Sequence, residues 1–254
     1  MDNQMDLLSS RAVIKPGLWS VIPRSSLINN TVPFIDNCKV SIVASPKIGA
    51  SFAEYLIEAQ PGGRTSKPFG GERDIECFLY CIEGTIAVRI GEEERVLQTG
   101  EFVYAPVEDA VMFSNMTDSV TRLLLYKQKY IPLEGFYAWR VWGNLETTEG
   151  FPLHGMENVE MKNLLPTDYG FDFNMHTLTF HPGASHDFIE NHVQEHGALI
   201  LSGEGMYYMD DHWLGIKKDD YMWFGPYVAQ AAYGVGTEDF SYLYSKDCNR
   251  DVML

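Results

Sequence analysis

An internal repeat restricts the fold of this 254-residue chain more than any other feature. Shifting the second half by 119 residues places Gly203 on Gly84 and Asp219-Asp220-Tyr221 on Gly100-Glu101-Phe102. Further matches are Gly225 with Pro106, Lys246 with Lys127 and, with an offset two residues larger, Pro182-Gly183-Ala184 with Pro61-Gly62-Gly63. A single period of this length predicts two copies of one small domain, because solenoids repeat many times with shorter periods.

Each copy consists of short apolar runs that are separated by turn residues. The clearest runs are residues 78–82, 86–90, 101–105 and 121–126. Such runs, bounded by Gly, Asp, Asn or Pro, predict antiparallel strands. Residues 156–168 are the best candidate for a short helix or a linker.

These observations predict an all-β fold with two tandem jelly-roll barrels in one chain. The expected units are an N-terminal arm over residues 1–36, a first barrel over 37–150 and a second barrel over 151–254.

Composition excludes several classes of partner. The net charge of -16 argues against nucleic acid and against an anionic membrane surface. No apolar run approaches the roughly 18 residues of a membrane span, and the acidic N-terminus lacks a secretory signal. The four cysteines form no CxxC pair, so reduced thiols and a cytoplasmic location are expected.

All seven histidines lie in the second half of the chain. Two of them belong to the stretch Glu190-x-His192-x3-His196, whose imidazole and carboxylate groups suit Mn, Fe, Co, Ni or Zn. In the first copy, Gly71, Arg73 and Cys77 occupy the equivalent positions, and Val111 occupies the position of Gln230. We therefore predict a metal site in the second barrel and a metal-free, structural first barrel.

The ligand stretch requires a bent backbone. Six residues of extended chain span about 20 Å, whereas the bonds to one ion are about 2 Å long. A bend at Gln194-Glu195 and Gly197 would bring His196 back to Glu190, with Glu195 as a solvated turn residue and Gln230 as a fourth ligand. The alternative is the helical His-x-x-Glu-His pattern of inverted zinc peptidases, which Gly197 and the apolar run after it disfavour.

The spacing resembles the cupin superfamily, whose first motif reads His-x-His-x3-4-Glu-x6-Gly. Here the motif is Glu190-x-His192-x3-His196-x6-Gly203, with one imidazole and the carboxylate exchanged. The second motif, Gly-x5-Pro-x-Gly-x2-His, is degraded to Asp219-x5-Gly225-x-Tyr227-x2-Gln230. With the segments 47–52, 130–135, 174–176 and 240–251, the chain resembles the (S)-ureidoglycine aminohydrolases, a bicupin family of purine (allantoin) catabolism.

The resemblance implies a manganese enzyme that hydrolyses (S)-ureidoglycine to (S)-ureidoglycolate and ammonia. The metal ligands it implies are Glu190, His192, His196 and Gln230. It also makes Lys246 and Glu190 catalytic, and it places Glu190, Gln230, Tyr242, Lys246 and Tyr207 against the substrate. From sequence alone Lys246 reads as a surface lysine, since the first copy carries Lys127 at the same position.

Two other function classes stay open at this point. The same ligands would also serve a metal-dependent oxygenase or isomerase acting on another small polar metabolite, or a non-catalytic ligand-binding cupin. Expected partners are a small ureide and further copies of the chain, because exposed edge strands of barrels commonly pair.

Overall fold

The computed structural model describes residues 12–252, and the chain in this range is almost entirely β-structure. It contains twenty strands and one short 3-10 helix, Arg24–Ser26, and no α-helix is present among the described residues. Within the same range, no helix has the length and apolar character that a membrane crossing requires. The all-β prediction is confirmed.

The first half of the chain forms one curled nine-stranded sheet. Its strands are β3 Ile35–Ala44, β4 Phe52–Thr65, β5 Ile75–Glu83, β6 Thr85–Ile90, β7 Glu93–Gln98, β8 Glu101–Ala105, β9 Val111–Ser114, β10 Thr121–Lys129 and β11 Val141–Asn144. Their order in the sheet is β11-β8-β5-β10-β4-β9-β6-β7, with β3 paired to β4. The predicted runs 78–82, 86–90, 101–105 and 121–126 all fall within these strands.

The other strands are β1 Val13–Lys15, β2 Trp19–Ile22, β12 Gly150–Leu153, β13 Met156–Asn163, β14 Phe173–Phe180, β15 His196–Ser202, β16 Glu204–Met209, β17 His212–Lys217, β18 Tyr221–Phe224, β19 Gln230–Val235 and β20 Phe240–Asp247. The second half and the two N-terminal strands form an eight-stranded sheet, β1-β2-β18-β15-β20-β14-β13-β12, and a three-stranded sheet, β17-β16-β19.

The two halves repeat one another strand by strand, as the 119-residue shift predicts. Gly84 and Gly203 both form the turn after a central strand, and both have a positive φ, of 97° and 67°. The next turn places Gly100 at φ 86° and Asp219 at φ 75°. Asp219 therefore keeps the left-handed backbone of the glycine that it replaces, which Asp tolerates better than most residues.

Two expectations need correction. Residues 156–163 form the strand β13 and not a helix or a linker. Val159 and Met161 lie opposite Phe180 and Leu178 on β14, and these side chains pack together in the core of the second half. The predicted N-terminal arm contains β1 and β2, and β2 pairs with β18 of the second half. Trp19 on β2 is almost fully buried in that half's core. Residues 1–11 of the predicted arm lie outside the described residues.

Three apolar clusters hold the molecule together. One fills the interior of each half, and the third lies between the two halves. The third contains Phe52, Phe78 and Tyr104 from the first half and Phe173 and Trp223 from the second. Burying this much aromatic surface between the halves couples them into one unit.

A charged clamp supplements the apolar contact between the halves. Asp219 accepts hydrogen bonds from Arg122 on β10, at 2.6 Å, and from Arg24 in the N-terminal segment. Burial opposes ionisation of this carboxyl, but the hydrogen bonds and charges of Arg122 and Arg24 outweigh it and lower the pKa of Asp219. One carboxylate thus connects the N-terminal segment, the first barrel and the second barrel.

Replacing Asp219 by Asn tests the clamp. Asn tolerates the same backbone conformation but leaves Arg122 without its charged partner, so we expect a loss of about 2 kcal/mol of stability at pH 7, as for a hydrogen bond between charged groups. Because the folded-state pKa of Asp219 is lowered, its contribution is present above the unfolded-state value of about 3.9 and disappears as pH falls further. The difference in thermal midpoint between Asp219→Asn and wild type should therefore shrink below about pH 4.

The matched control is Asp239→Asn, which replaces an exposed carboxylate that is hydrogen-bonded to His181 in the same half. Exposed pairs contribute less than about 1 kcal/mol, so this variant should melt close to wild type. Equal midpoints for both variants at pH 7 would contradict the clamp.

Candidate metal centre and active site

The predicted ligands meet at one end of the second barrel, around a cavity of about 250 Å³. Glu190 and His192 lie in the loop before β15, His196 begins β15, and Gln230 begins β19. Reciprocal backbone hydrogen bonds of 2.8 and 2.9 Å pair Glu190 with Gln230. The Tyr227 N–H donates to the His192 carbonyl at 2.8 Å, so the ligand loop is fastened to the segment that leads into β19.

The loop is bent and non-helical, which excludes the zinc-peptidase alternative. Residues 190–195 contain no helical turn, and β15 begins directly at His196. Gly197 is required immediately after it, because a Cβ there would collide with the Glu54 carboxylate and the Tyr221 hydroxyl. The backbone therefore enters β15 with the His196 ring facing the cavity.

Glu195 was predicted to be a solvated turn residue, and this prediction is wrong. Its carboxylate is buried and accepts hydrogen bonds from the Ser51 backbone N–H and from Trp223 Nε1, each at 2.9 Å. Ser51 belongs to the first half of the chain. The first barrel thus contributes a hydrogen bond that fixes the ligand loop of the second barrel.

The distances between ligand atoms suit one shared ion. His192 Nε2 lies 3.3 Å from His196 Nε2, 3.1 Å from Gln230 Nε2 and 3.9 Å from a Glu190 carboxylate oxygen. Two atoms that each lie about 2.1 Å from one ion, at right-angle or tetrahedral geometry, are roughly 3.0 to 3.4 Å apart. Glu190 lies slightly further out, and no three His, Cys, Asp or Glu side chains of residues 12–252 form a preassembled metal cluster.

Both imidazoles present the nitrogen that a metal requires. His196 Nδ1 hydrogen-bonds the Ser245 carbonyl at 2.8 Å, and His192 Nδ1 hydrogen-bonds the Gln194 carbonyl at 3.1 Å. A carbonyl only accepts, so Nδ1 carries the proton in each ring and Nε2 keeps its lone pair toward the cavity. Burial lowers the pKa of His192, with Lys246 as the next cause, and burial together with His192 and Lys246 lowers that of His196. Both rings are therefore neutral at pH 7.

The amide of Gln230 completes the set. It is almost fully buried, and its Oε1 accepts a hydrogen bond from the Tyr207 hydroxyl at 3.1 Å. The two orientations of a terminal amide have the same shape, and a hydroxyl can donate or accept. Tyr207 can therefore hydrogen-bond Gln230 whether the amide oxygen or the amide nitrogen faces the hydroxyl.

Strand β20 supplies the opposite wall. Tyr242, Tyr244 and Lys246 alternate along it and all line the cavity. Burial and the neighbouring phenols raise the pKa of Tyr242, so its hydroxyl stays protonated. Within the described residues, Lys246 has no ion-pair partner. Burial raises the pKa of Glu190 above its usual value, and the charge of Lys246 opposes this effect only in part.

All seven predicted site residues are therefore brought together around one cavity. Sequence reasoning missed eight other lining residues, which are Phe151, Leu153, His154, Met161, Asn163, Leu178, Phe224 and Tyr244. The two-residue period of β20 would have identified Tyr244 from Tyr242 and Lys246. Asn163 lies in the stretch that was misread as a helix or linker.

In the first half, apolar residues occupy the positions equivalent to Glu190, His196 and Gln230, and Arg73 at the position predicted for His192 is exposed. Phe69 and Val111 pair through reciprocal 2.8 Å backbone hydrogen bonds, just as Glu190 and Gln230 do. The residue equivalent to Glu190 is therefore Phe69 and not Gly71, and the first copy has two extra residues before Cys77. Cys77 and Val111 are both fully buried in the core of the first barrel.

Comparison with known proteins identifies the family. The chain is 45% identical over 250 residues to the (S)-ureidoglycine aminohydrolase of Escherichia coli strain K12, covering 98% of this chain and 95% of that protein. The chain belongs to the (S)-ureidoglycine aminohydrolase family. The predicted resemblance is thereby confirmed, and the protein is an enzyme of this family.

Solved structures agree with this assignment. The structure of protein YlbA from E. coli superposes with a TM-score of 0.90 at 42% identity, over 100% of both chains. A Cupin 2 conserved barrel domain protein from Leptotrichia buccalis superposes with a TM-score of 0.64 over 92% of this chain, at 17% identity, and so bears on the fold alone. The two-barrel cupin fold is confirmed. A search against models of protein families found no match.

A Tyr207→Phe variant tests the support of Gln230. Loss of the hydroxyl frees the amide to rotate, and removing such a supporting hydrogen bond typically weakens metal binding by about tenfold. Isothermal titration of the purified protein with Mn²⁺ measures the change. Tyr208→Phe is the control, because that ring packs against Trp213 and does not line the cavity. Identical Mn²⁺ affinities in the two variants would contradict this role of Tyr207.

Proposed function

We propose that this protein hydrolyses (S)-ureidoglycine to (S)-ureidoglycolate and ammonia. Its 45% identity over nearly the whole chain to an enzyme with that name supports the proposal. The observation that carries it is the convergence of Glu190, His192, His196, Gln230 and Lys246 on one small cavity. This volume suits a small metabolite rather than a polymer.

We further propose that Glu190, His192, His196 and Gln230 hold one Mn²⁺ ion. Two nitrogen and two oxygen donors fit a divalent ion of intermediate hardness, and the distances between the ligand atoms are close to those that one ion requires. When bound, the ion supplies Lewis-acid polarisation of the substrate and fixes its orientation.

The other groups of the cavity match the substrate. Ureidoglycine carries a carboxylate, a ureido group and an amine on one carbon. Lys246 provides a positive charge for the carboxylate, and the hydroxyls of Tyr242 and Tyr207 donate toward its polar groups. Glu190 and Gln230 lie beside the same space and contact the substrate as well as the ion. Leu153 and Phe224 give the cavity apolar walls that limit access of bulk water.

The reaction breaks one C–N bond and forms one C–O bond. The oxygen of water bonds to the central carbon, and the amine leaves with its electron pair and one additional proton. We propose that Lys246 Nζ donates that proton and that the Glu190 carboxylate accepts one from water. The proton count balances when Lys246 regains its proton from Glu190 through solvent.

Three wider proposals accompany this function. They are a role in purine (allantoin) catabolism, a cytoplasmic location and a homo-oligomeric state. For the last, β1 is the edge of the eight-stranded sheet and exposes Val13 and Ile14, and such edges commonly pair with another chain.

The test is ammonia release from freshly generated (S)-ureidoglycine by the purified full-length protein, with and without Mn²⁺. The wild type with Mn²⁺ should exceed the spontaneous rate and yield the (S) product on a chiral column. His196→Ala removes a metal ligand and should lower the rate by more than about 100-fold. An oxygen electrode should record no O₂ consumption.

His212→Ala is the matched control, since His212 is exposed and lies outside the cavity. It should keep the wild-type rate. The mechanism is wrong if His196→Ala releases ammonia as fast as His212→Ala, and oxygen uptake with turnover would favour the oxygenase alternative.

A further inference from the structure

A row of three side chains crosses the cavity wall of the second barrel. In the sheet register, Asn163 on β13 pairs with His176 on β14, and His176 pairs with Tyr244 on β20. Directly opposed residues share one face of a sheet, so all three point to the barrel interior. Asn163 and Tyr244 line the cavity itself.

His176 hydrogen-bonds the Asn163 side chain, with the amide oxygen facing the imidazole. Its Nδ1 lies 2.8 Å from Asn163 Oδ1, and its ring packs against Tyr244 with the centroids 5.1 Å apart. Burial, with a smaller contribution from Lys246, lowers the pKa of His176 to about 3, so the ring carries a single N–H at neutral pH. Because an amide oxygen only accepts, that N–H is on Nδ1.

This hydrogen bond leaves the other half of the amide uncommitted. Among residues 12–252, the Asn163 Nδ2 group donates no hydrogen bond to another protein atom, while the side chain lines the cavity. A fixed N–H₂ donor in the wall of a cavity is complementary to a neutral acceptor oxygen on a ligand. Lys246, the cation of the cavity, is the better partner for a carboxylate.

We propose that Asn163, held in place by His176, donates a hydrogen bond to the ureido carbonyl oxygen of the substrate and selects for that group. This inference rests on the proposed function, because it names the residue that reads the ureido end of the same substrate. Asn163 is the specificity-determining residue, and His176 is a positioning residue that acts through it.

The test compares two ligands that differ only at the recognised atom. Ureidoacetate carries a C=O group where guanidinoacetate carries C=NH₂⁺, and neither has the amine that the reaction expels. Isothermal titration of the Mn²⁺-loaded full-length protein measures both affinities. The wild type should prefer ureidoacetate.

Asn163→Asp replaces the donor by an acceptor of the same shape and should shift the ratio of affinities by at least roughly tenfold toward guanidinoacetate. Asn163→Ala, which adds no charge, should lower the preference of the wild type for ureidoacetate by several-fold. His176→Phe keeps a ring against Tyr244 but frees the amide to rotate, so it should also lower that preference while the thermal midpoint stays near that of the wild type.

Asn158→Asp is the matched control, because it makes the same substitution at an exposed position on the same strand. It should leave the ratio unchanged. The proposal is overturned if the wild type shows no preference, or if Asn163→Ala and Asn163→Asp keep the wild-type ratio. Ammonia release from ureidoglycine with an unaltered ratio would reject this role of Asn163 alone, whereas an Asn163-dependent preference without any ammonia release would reject the hydrolase reaction alone.

Discussion

The buried carboxylate of Glu195 is the contact on which the geometry of the site depends. It lies one residue before His196 and is held by Ser51 of the first barrel and by Trp223 of the second. A buried carboxylate is stable only when its oxygens are hydrogen-bonded, and here both are. The position at which the ligand loop enters β15 is therefore set by the interface between the barrels and not by the second barrel alone.

The duplicated scaffold explains how one half of the chain came to hold a site and the other a core. The backbone pairing between Glu190 and Gln230 is reproduced between Phe69 and Val111, so the same frame carries polar groups in one copy and apolar groups in the other. The apolar copy has filled the space where ligands would lie. The first copy also forms the interface against which the second copy packs.

The fold class and the site residues were accessible from sequence because they depend on local periodicity and on a short motif. Glu190-x-His192-x3-His196 and the repeat position of Gln230 indicated four of the side chains that meet, whereas Lys246, Tyr242 and Tyr207 were predicted only from the family resemblance. The errors concern residues whose environment is set by distant strands. The sequence around Glu195 is typical of a solvated turn, because the Ser51 N–H that binds its carboxylate lies 144 residues away in the chain. The burial of side chains on β13 depends on Phe180 and Leu178 of the neighbouring strand, which the sequence of β13 does not reveal.

The N-terminal segment belongs to the sheet of the second half, which limits how the chain can be divided into fragments. Because β2 pairs with β18 and buries Trp19 in the second half, the second barrel is discontinuous in the chain. A fragment cut at the linker near residue 150 would leave an open sheet edge at β18 and an unfilled core in the second barrel. During synthesis on the ribosome, β2 emerges about two hundred residues before its partner β18, so β2 stays unpaired until nearly the whole chain has been made.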